Sequence, residues 1–521
     1  MTMKLLPLLG IVFMALSADA ARPVARWDVV PYQRVSGVFT AGVCAFHEDG
    51  VKVEFSVDGK KMETAMNPVF NKRTGVWEYV FNFDTAKFPD GPVTLGAKAI
   101  TLGATPEVYE LPPLSLFANA NGSLSTPTVA WADSENGDDT FEGTEKRPVK
   151  TLQKAMSLVP VGGTVYLKKG HYSADHLGGK IRKYWTTVSA APGVKRDDCE
   201  VKGGRVVADK IRFKGLSIYC EHEGKYGSIL GGENGRTCCW VDDSKMWNKK
   251  GRYACNSYPF GNRMVAYVTG GETTQMGNGP GCTLQRGHSV YDITSDVWTG
   301  SNCLVVNCKS WNVNPGKTSA HPDFYQSHAP QGSFVHDVIL YNVSGWDCVC
   351  QGLFGVRLRD SAFVNVSFHL SPKSGFLSQF SDKLINVLFA HVTIINQNWL
   401  WREATEGKQD FTPTDVRVIN SVFRSMGGKT SEKITNGLKV DHNAFYGFDK
   451  RGKSSGVYGT NAVRFDRPWA NDASGDDFPL PKSSPAYKNG IPLQCVPADY
   501  HGRLYPKGNR PCGAFAASSS K

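Results

Sequence analysis

Apolar and polar residues alternate along most of this chain with the period of two that marks a half-buried strand. Between residues 27 and 117 the runs are VKVEFSVDG, VWEYVFNFD and VTLGAKAI. Asp58-Gly59 and Asp90-Gly91 punctuate them as turns. The pattern predicts a small immunoglobulin-like β-sandwich over residues 25–118, followed by a polar linker, NANGSLSTPT. The period then changes. In VKTLQKAMSLV the residues Val149, Leu152, Ala155, Met156 and Val159 share one helical face, and the strand-like GGTVYL follows directly.

The second half of the chain repeats itself. VVNCKSW, LYNVSGW, FVNVSFH, FAHVTII, VINSVFR and DHNAFYG each carry Asn or His before alternating apolar residues. The recurring positions are Asn307, Asn342, Asn365, His391, Asn420 and Asn443, at intervals of 35, 23, 26, 29 and 23 residues. These are mostly coil-sized intervals, and too short for propeller blades. Asn at one corner of every coil suits the turn conformation, and its amide can reach the amide one coil away. The repeat fades after residue 450, so residues 451–521 are expected to form an irregular C-terminal cover.

The stretch WADSENGDDTFEGTEKRPVKTLQKAMSLVPVGGTVYLKKGHY resembles the start of pectate-lyase-like right-handed parallel β-helices, the scaffold of polysaccharide lyases and glycoside hydrolases. The resemblance covers about residues 130–448. It implies an all-β fold: a right-handed parallel β-helix over residues 129–450, opened by a capping helix and preceded by the small β-sandwich. The cap has a physical purpose, because an uncovered end coil exposes apolar interior and strand edges.

Composition narrows the class. With 41% hydrophobic and 21% charged residues the chain is folded rather than disordered. Residues 1–20 read as a signal peptide: Lys4, the apolar run LLPLLGIVFMAL, then Ala18-Asp19-Ala20. No later run is long enough to span a membrane. A secreted or periplasmic protein is expected, and among its 13 cysteines Cys495 and Cys512 are the best disulfide pair. Cys303, Cys308, Cys348 and Cys350 read as small core hydrophobes. The net charge of +11 is spread along the chain. No basic tail or RNA-binding motif accompanies it, which argues against nucleic acid and for an acidic polysaccharide as partner.

A β-helix fills its interior, so chemistry must lie on an outer face, one residue per coil. Aligned on their apolar residues, HPDFYQSHA, WDCVCQGLF, SGFLSQFSD and NWLWREATE place Gln326, Gln351, Gln379 and Arg402 in one column. His321, Asp323, His328 and Trp401 lie near it, and the loops before the first and third of these strands bring Lys317 and Lys373. His321 and Asp323 share a face, and Gln326 joins them only across a bend. QRGHSVYD adds Arg286, His288 and Asp292. The Gln column can equally be a structural amide ladder. Trp247, Trp298, Trp311, Trp346, Trp399 and Trp401 are candidate sugar platforms.

Two chemistries fit. β-Elimination on a uronic-acid polymer needs a cation to neutralise the sugar carboxylate and a base to remove the adjacent proton. His321, Asp323, Arg402, Lys317 and Lys373 are the catalytic candidates; Gln326, Gln351, Gln379, His328, Trp401, Arg286 and His288 are the binding ones. Glycoside hydrolysis needs two carboxyls, and Asp242-Asp243 is a pair on a strand. The polygalacturonase set Asn-Thr-Asp, Gly-His-Gly, Arg-x-Lys is not complete, and the pectate-lyase Arg-x-Pro-x-x-Arg is absent. No cofactor is certain. Calcium is possible because the resembling families commonly hold it, with Asp323 and Asp347 as ligand candidates. A non-catalytic, glycan-binding β-helix is the third alternative.

Overall fold

The computed structural model describes residues 21–124, 128–178, 182–207, 209–232, 237–261, 264–316, 318, 321–371, 378–401, 411–427, 436–447, 459–469 and 475–516. The segment read as a signal peptide lies outside them. Most of the described chain winds into a right-handed parallel β-helix, as the opening helix and the Asn repeat led us to expect. One continuous sheet runs from Val129–Ala132 to Val463–Arg464, with every pairing inside it parallel. The helix Leu152–Leu158 opens it. Thr151 caps that helix, its side chain accepting from the Lys154 N–H, and Leu152, Ala155 and Met156 face the core.

Each coil in the middle of the stack has three faces. On the first, Leu304 pairs with Ile339, Ile339 with Ala362 and Ala362 with Leu388. On the second, Trp311 pairs with Trp346 and Trp346 with His369. On the third, Trp298 pairs with Tyr325 and Tyr325 with Leu353. A single left-handed residue turns the chain from the first face to the second. Asn307, Asn342, Asn365, His391 and Asn420 hold this position at φ 51°, 53°, 51°, 54° and 55°. Asn tolerates that conformation because its side chain bonds locally. Their side chains form a ladder: Asn342 Nδ2 donates to Asn307 Oδ1 at 3.0 Å, and Asn365 Nδ2 to Asn342 Oδ1 at 3.0 Å. In the last repeat the left-handed residue is His442, one place before the expected Asn443.

The sandwich is two sheets whose core includes Val43, Phe55, Tyr79 and Leu116. It docks lengthwise on the first face. Val24, Val30, Phe46 and Val76 close over Leu284, Leu304, Ile339, Ala362 and Leu388. Arg22 bonds Asp337 at 2.7 Å and Asp360 at 3.0 Å, and Arg417 bonds Glu48 at 2.6 Å. That face is therefore interior.

The described C-terminal residues run beside the Asn corner. Asn365 Nδ2 donates to Ala498 O at 2.9 Å, and Asn420 Nδ2 to Ile491 O at 2.8 Å. The expected Cys495–Cys512 disulfide does not form. All 13 cysteines are free thiols. Cys495 Sγ donates to His47 O on the sandwich, whereas Cys512 Sγ donates to His442 O on a late coil. No helix among the described residues is long and apolar enough to cross a membrane.

Candidate functional site

The third face carries two neighbouring acids that burial raises, Asp296 and Asp323. Its strand Asp323–His328 is entered from the loop after Trp311. Because Trp298 pairs with Tyr325, Asp296 stands opposite Asp323 on the coil before. The Asp323 N–H donates to Asp296 Oδ1 at 3.1 Å, and the Val297 N–H to Asp323 O at 3.0 Å. Gln351 pairs with Asp323 from the coil after. Asp296, Asp323 and Gln351 thus form one line across three coils.

Burial sets the electrostatics. Asp323 is 1% exposed, and Asp296 is half-buried. Loss of water, then the neighbouring Asp296 charge, push the Asp323 carboxyl up to about 8. Gln326 opposes this by donating to Asp323 Oδ2 at 2.8 Å. Burial raises Asp296 to about 6, opposed by the Asp323 N–H. Asp323 Oδ1 is buried without a hydrogen-bond partner. Near neutral pH the pair as a unit holds about one proton and one negative charge.

The sequence reading is corrected at several places. Gln326 and Gln379 do share a column, with Phe354 between them, and Leu400 follows Gln379. Gln351 sits three register positions away, beside Asp323. His321 and His328 are exposed at the two ends of the Asp323 strand. Lys317, Lys373 and Arg402 lie outside the described residues. Trp401 is no sugar platform: it is 1% exposed, with its ring 4.9 Å from Phe411 inside the coil. Trp298 and Trp399 are equally buried.

Arg286 does not face a substrate. It forms an ion pair with Asp28 of the sandwich. His288 is fully buried, with its ring nitrogens 2.9 Å from Thr273 Oγ1 and 2.8 Å from Gly270 O. Burial lowers it to about 4, so it is neutral and structural. Asp292 turns a left-handed corner, where its carboxylate accepts from Gln275 at 3.1 Å. The Asp242-Asp243 pair is split: Asp242 pairs with Arg212, and Asp243 turns a left-handed corner.

Of the two calcium-ligand candidates, Asp323 accepts from the Gln326 amide nitrogen through Oδ2, and Asp347 occupies a left-handed corner. Among the described residues no group of three or more His, Cys, Asp or Glu converges. Asp296 was missed by sequence reasoning. It has no motif around it, and its one signal is the coil-sized spacing to Asp323.

Residues 135–178, from the acidic opening loop through the capping helix and first strands, match a family described as Protein of unknown function (DUF1565). No curated protein matches the chain. Among solved structures, a complex of XylC with xylose aligns with 75% of this chain and 98% of its own, at 10% identity and TM-score 0.45. A rhamnogalacturonan lyase aligns with 74% of this chain and 96% of its own, at 12% identity and TM-score 0.36. The GH136 lacto-N-biosidase from Eubacterium ramulus aligns with 64% of this chain and 66% of its own, at 10% identity and TM-score 0.38. Likenesses this distant lend no weight to any chemistry. What the chain is similar to is, at its opening, the DUF1565 family, and what its own backbone shows is a parallel β-helix.

Proposed function

We propose that the protein is an exported carbohydrate-active enzyme that hydrolyses glycosidic bonds, with Asp296 and Asp323 as its acid–base pair. One observation carries this reading: a carboxyl raised to about 8 lies beside one raised to about 6 on the neighbouring coil. Such a pair holds a proton donor and an ionised carboxylate together at neutral pH, which is what acid–base cleavage of a glycosidic bond requires. Asp323 is the proton donor to the leaving oxygen, which must reach it from the side where Asp296 is open, because Asp323 itself is 1% exposed. Asp296, the more open of the two, activates the attacking water or meets the sugar carbon. Gln326 holds Asp323 in place, and Gln351 flanks it. The N-terminal apolar segment supports export.

β-Elimination on an acidic polysaccharide is the second reading. The net charge of +11 favours it, with His321 as the base nearest the pair along the strand. Incubation with a panel of neutral and uronic-acid polymers separates the two. New reducing ends without an unsaturated, ultraviolet-absorbing product support hydrolysis. That absorbance supports elimination instead, and neither signal on any polymer defeats both.

A further inference from the structure

The second face carries a line of large rings that the acid pair does not use. In register from coil to coil the line reads Tyr219, Trp247, Thr274, Tyr291, Trp311 and Trp346. Tyr291 stacks on Trp311 at 4.5 Å and 4°, and Trp311 on Trp346 at 5.3 Å and 12°. Trp247, Tyr291, Trp311 and Trp346 are all part-exposed, and none joins the packed interior of the coil. Two residues earlier on each strand runs a parallel polar row, Lys245, Glu272, Ser289 and Lys309; it ends at Ser344, which is 1% exposed with its Oγ 2.7 Å from Tyr500 Oη. Tyr291 Oη ties the rows together by donating to Glu272 at 3.0 Å.

The geometry points to this double row as a docking track for an extended polysaccharide chain, distinct from the acid pair. The inference rests on the reading of the protein as carbohydrate-active. A glycan chain is amphipathic in the same way as the track. Its C–H groups meet the exposed edges of the stacked rings, whose faces cover one another, and its hydroxyls suit the row of Lys245, Glu272, Ser289 and Lys309. The track repeats once per coil, about 4.8 Å, close to the length of one sugar unit. A peptide strand has no free edge to pair with here, because these strands are bonded on both sides. A lipid surface is opposed by the interleaved Glu and Ser side chains. The track also adjoins the acid pair: Trp346 and Gln351 belong to one coil, separated only by the corner between Trp346 and the strand that Gln351 opens. A polymer on the track is thereby held beside the third face.

Affinity electrophoresis through gels containing xylan, hydroxyethyl cellulose or polygalacturonate tests this, with the full chain in an Asp323→Asn background so that polymer is not consumed. Retardation is expected in at least one gel, weakened about tenfold or more by Trp311→Ala and by Trp346→Ala. Ser289→Tyr, which fills the track without removing a stacked ring, should do the same with an unchanged melting temperature. That variant keeps the test decisive should a Trp variant fail to fold. Absence of retardation in all three gels overturns the proposal, and so does retardation that all three variants leave intact. The acid pair is judged separately: full activity of Asp323→Asn sinks that reading and leaves the track standing.

Discussion

Gln326 donates its side-chain amide to Asp323 Oδ2 at 2.8 Å, from three residues further along the same strand. The bond favours the ionised carboxylate, so it restrains a pKa that burial and Asp296 drive upward. Activity should rise as Asp296 ionises near pH 6 and fall as Asp323 loses its proton near pH 8. Gln326→Leu removes the restraint and should move the alkaline limb up by about one pH unit, the worth of one hydrogen bond. Asp323→Asn should lose roughly 10²–10⁴-fold in kcat with its fold intact. A pH profile of kcat/KM on whichever polymer is cleaved measures the limbs. Limbs that stay put in Gln326→Leu would show that this bond does not tune the acid.

Arg286 and Asp28 join the β-helix to the sandwich through a buried ion pair. Removing one partner leaves the other charged and dry, which costs about 3–5 kcal/mol. Arg286→Ala should therefore lower the melting temperature strongly. Asp28→Asn combined with Arg286→Met should recover much of the loss. Calorimetry of the three proteins checks both, and a freely tolerated Arg286→Ala would contradict the interlock.

Asn342 both accepts from Asn365 and donates to Asn307 while its own backbone is left-handed, at φ 53°. Asn342→Ala loses the two bonds and strains the backbone, for about 3 kcal/mol. Asn342→Gly loses the bonds alone. Denaturant unfolding should rank the native protein above Gly and Gly above Ala; equal stability of Gly and Ala would remove backbone strain from the account.

Glu78 is a buried acid at the same domain junction. Asn71 and Thr74 donate to its Oε1 at 2.7 Å each, while its Oε2 has no partner. Gly42 makes its room, since a Cβ there would lie 2.0 Å from the Glu78 carboxyl carbon. Burial, then Asp28, raise Glu78 from 4.5 to about 8. The folded protein thus binds a proton that the unfolded chain releases, so this contribution is complete below pH 4.5 and is lost as pH climbs through 8. Glu78→Gln should match the native protein at pH 4 and be more stable at pH 8. Parallel stability curves for the two across that range would refute this.

The fold was legible because its signals are local. Alternation, one amphipathic helix and an Asn at a left-handed corner each need only neighbouring residues. The site was legible in part, since Asp323, Gln326 and His321 lie within six positions. Register was harder to read. The loop from Trp311 to Asp323 is long and the corner from Trp346 to Gln351 is short, so aligning apolar residues slid Gln351 by three places. Arg286 was misread because its partner, Asp28, lies 258 residues away in another domain. Trp401 was misread because both rings of the strand Trp399–Trp401 turn inward.

The sandwich docked along the first face has a consequence for how the molecule meets a polymer. On the coils up to Trp346 one side of the three-sided prism is sealed, and the two sides left are neighbours around a single edge; on later coils the C-terminal residues close the second side too, with Phe478 and Phe515 on Ile395 and Phe465 and Leu480 on Val422 and Ala444. Any long chain that wraps the prism must bend over that edge, and the bend falls where Trp346 gives way to Gln351.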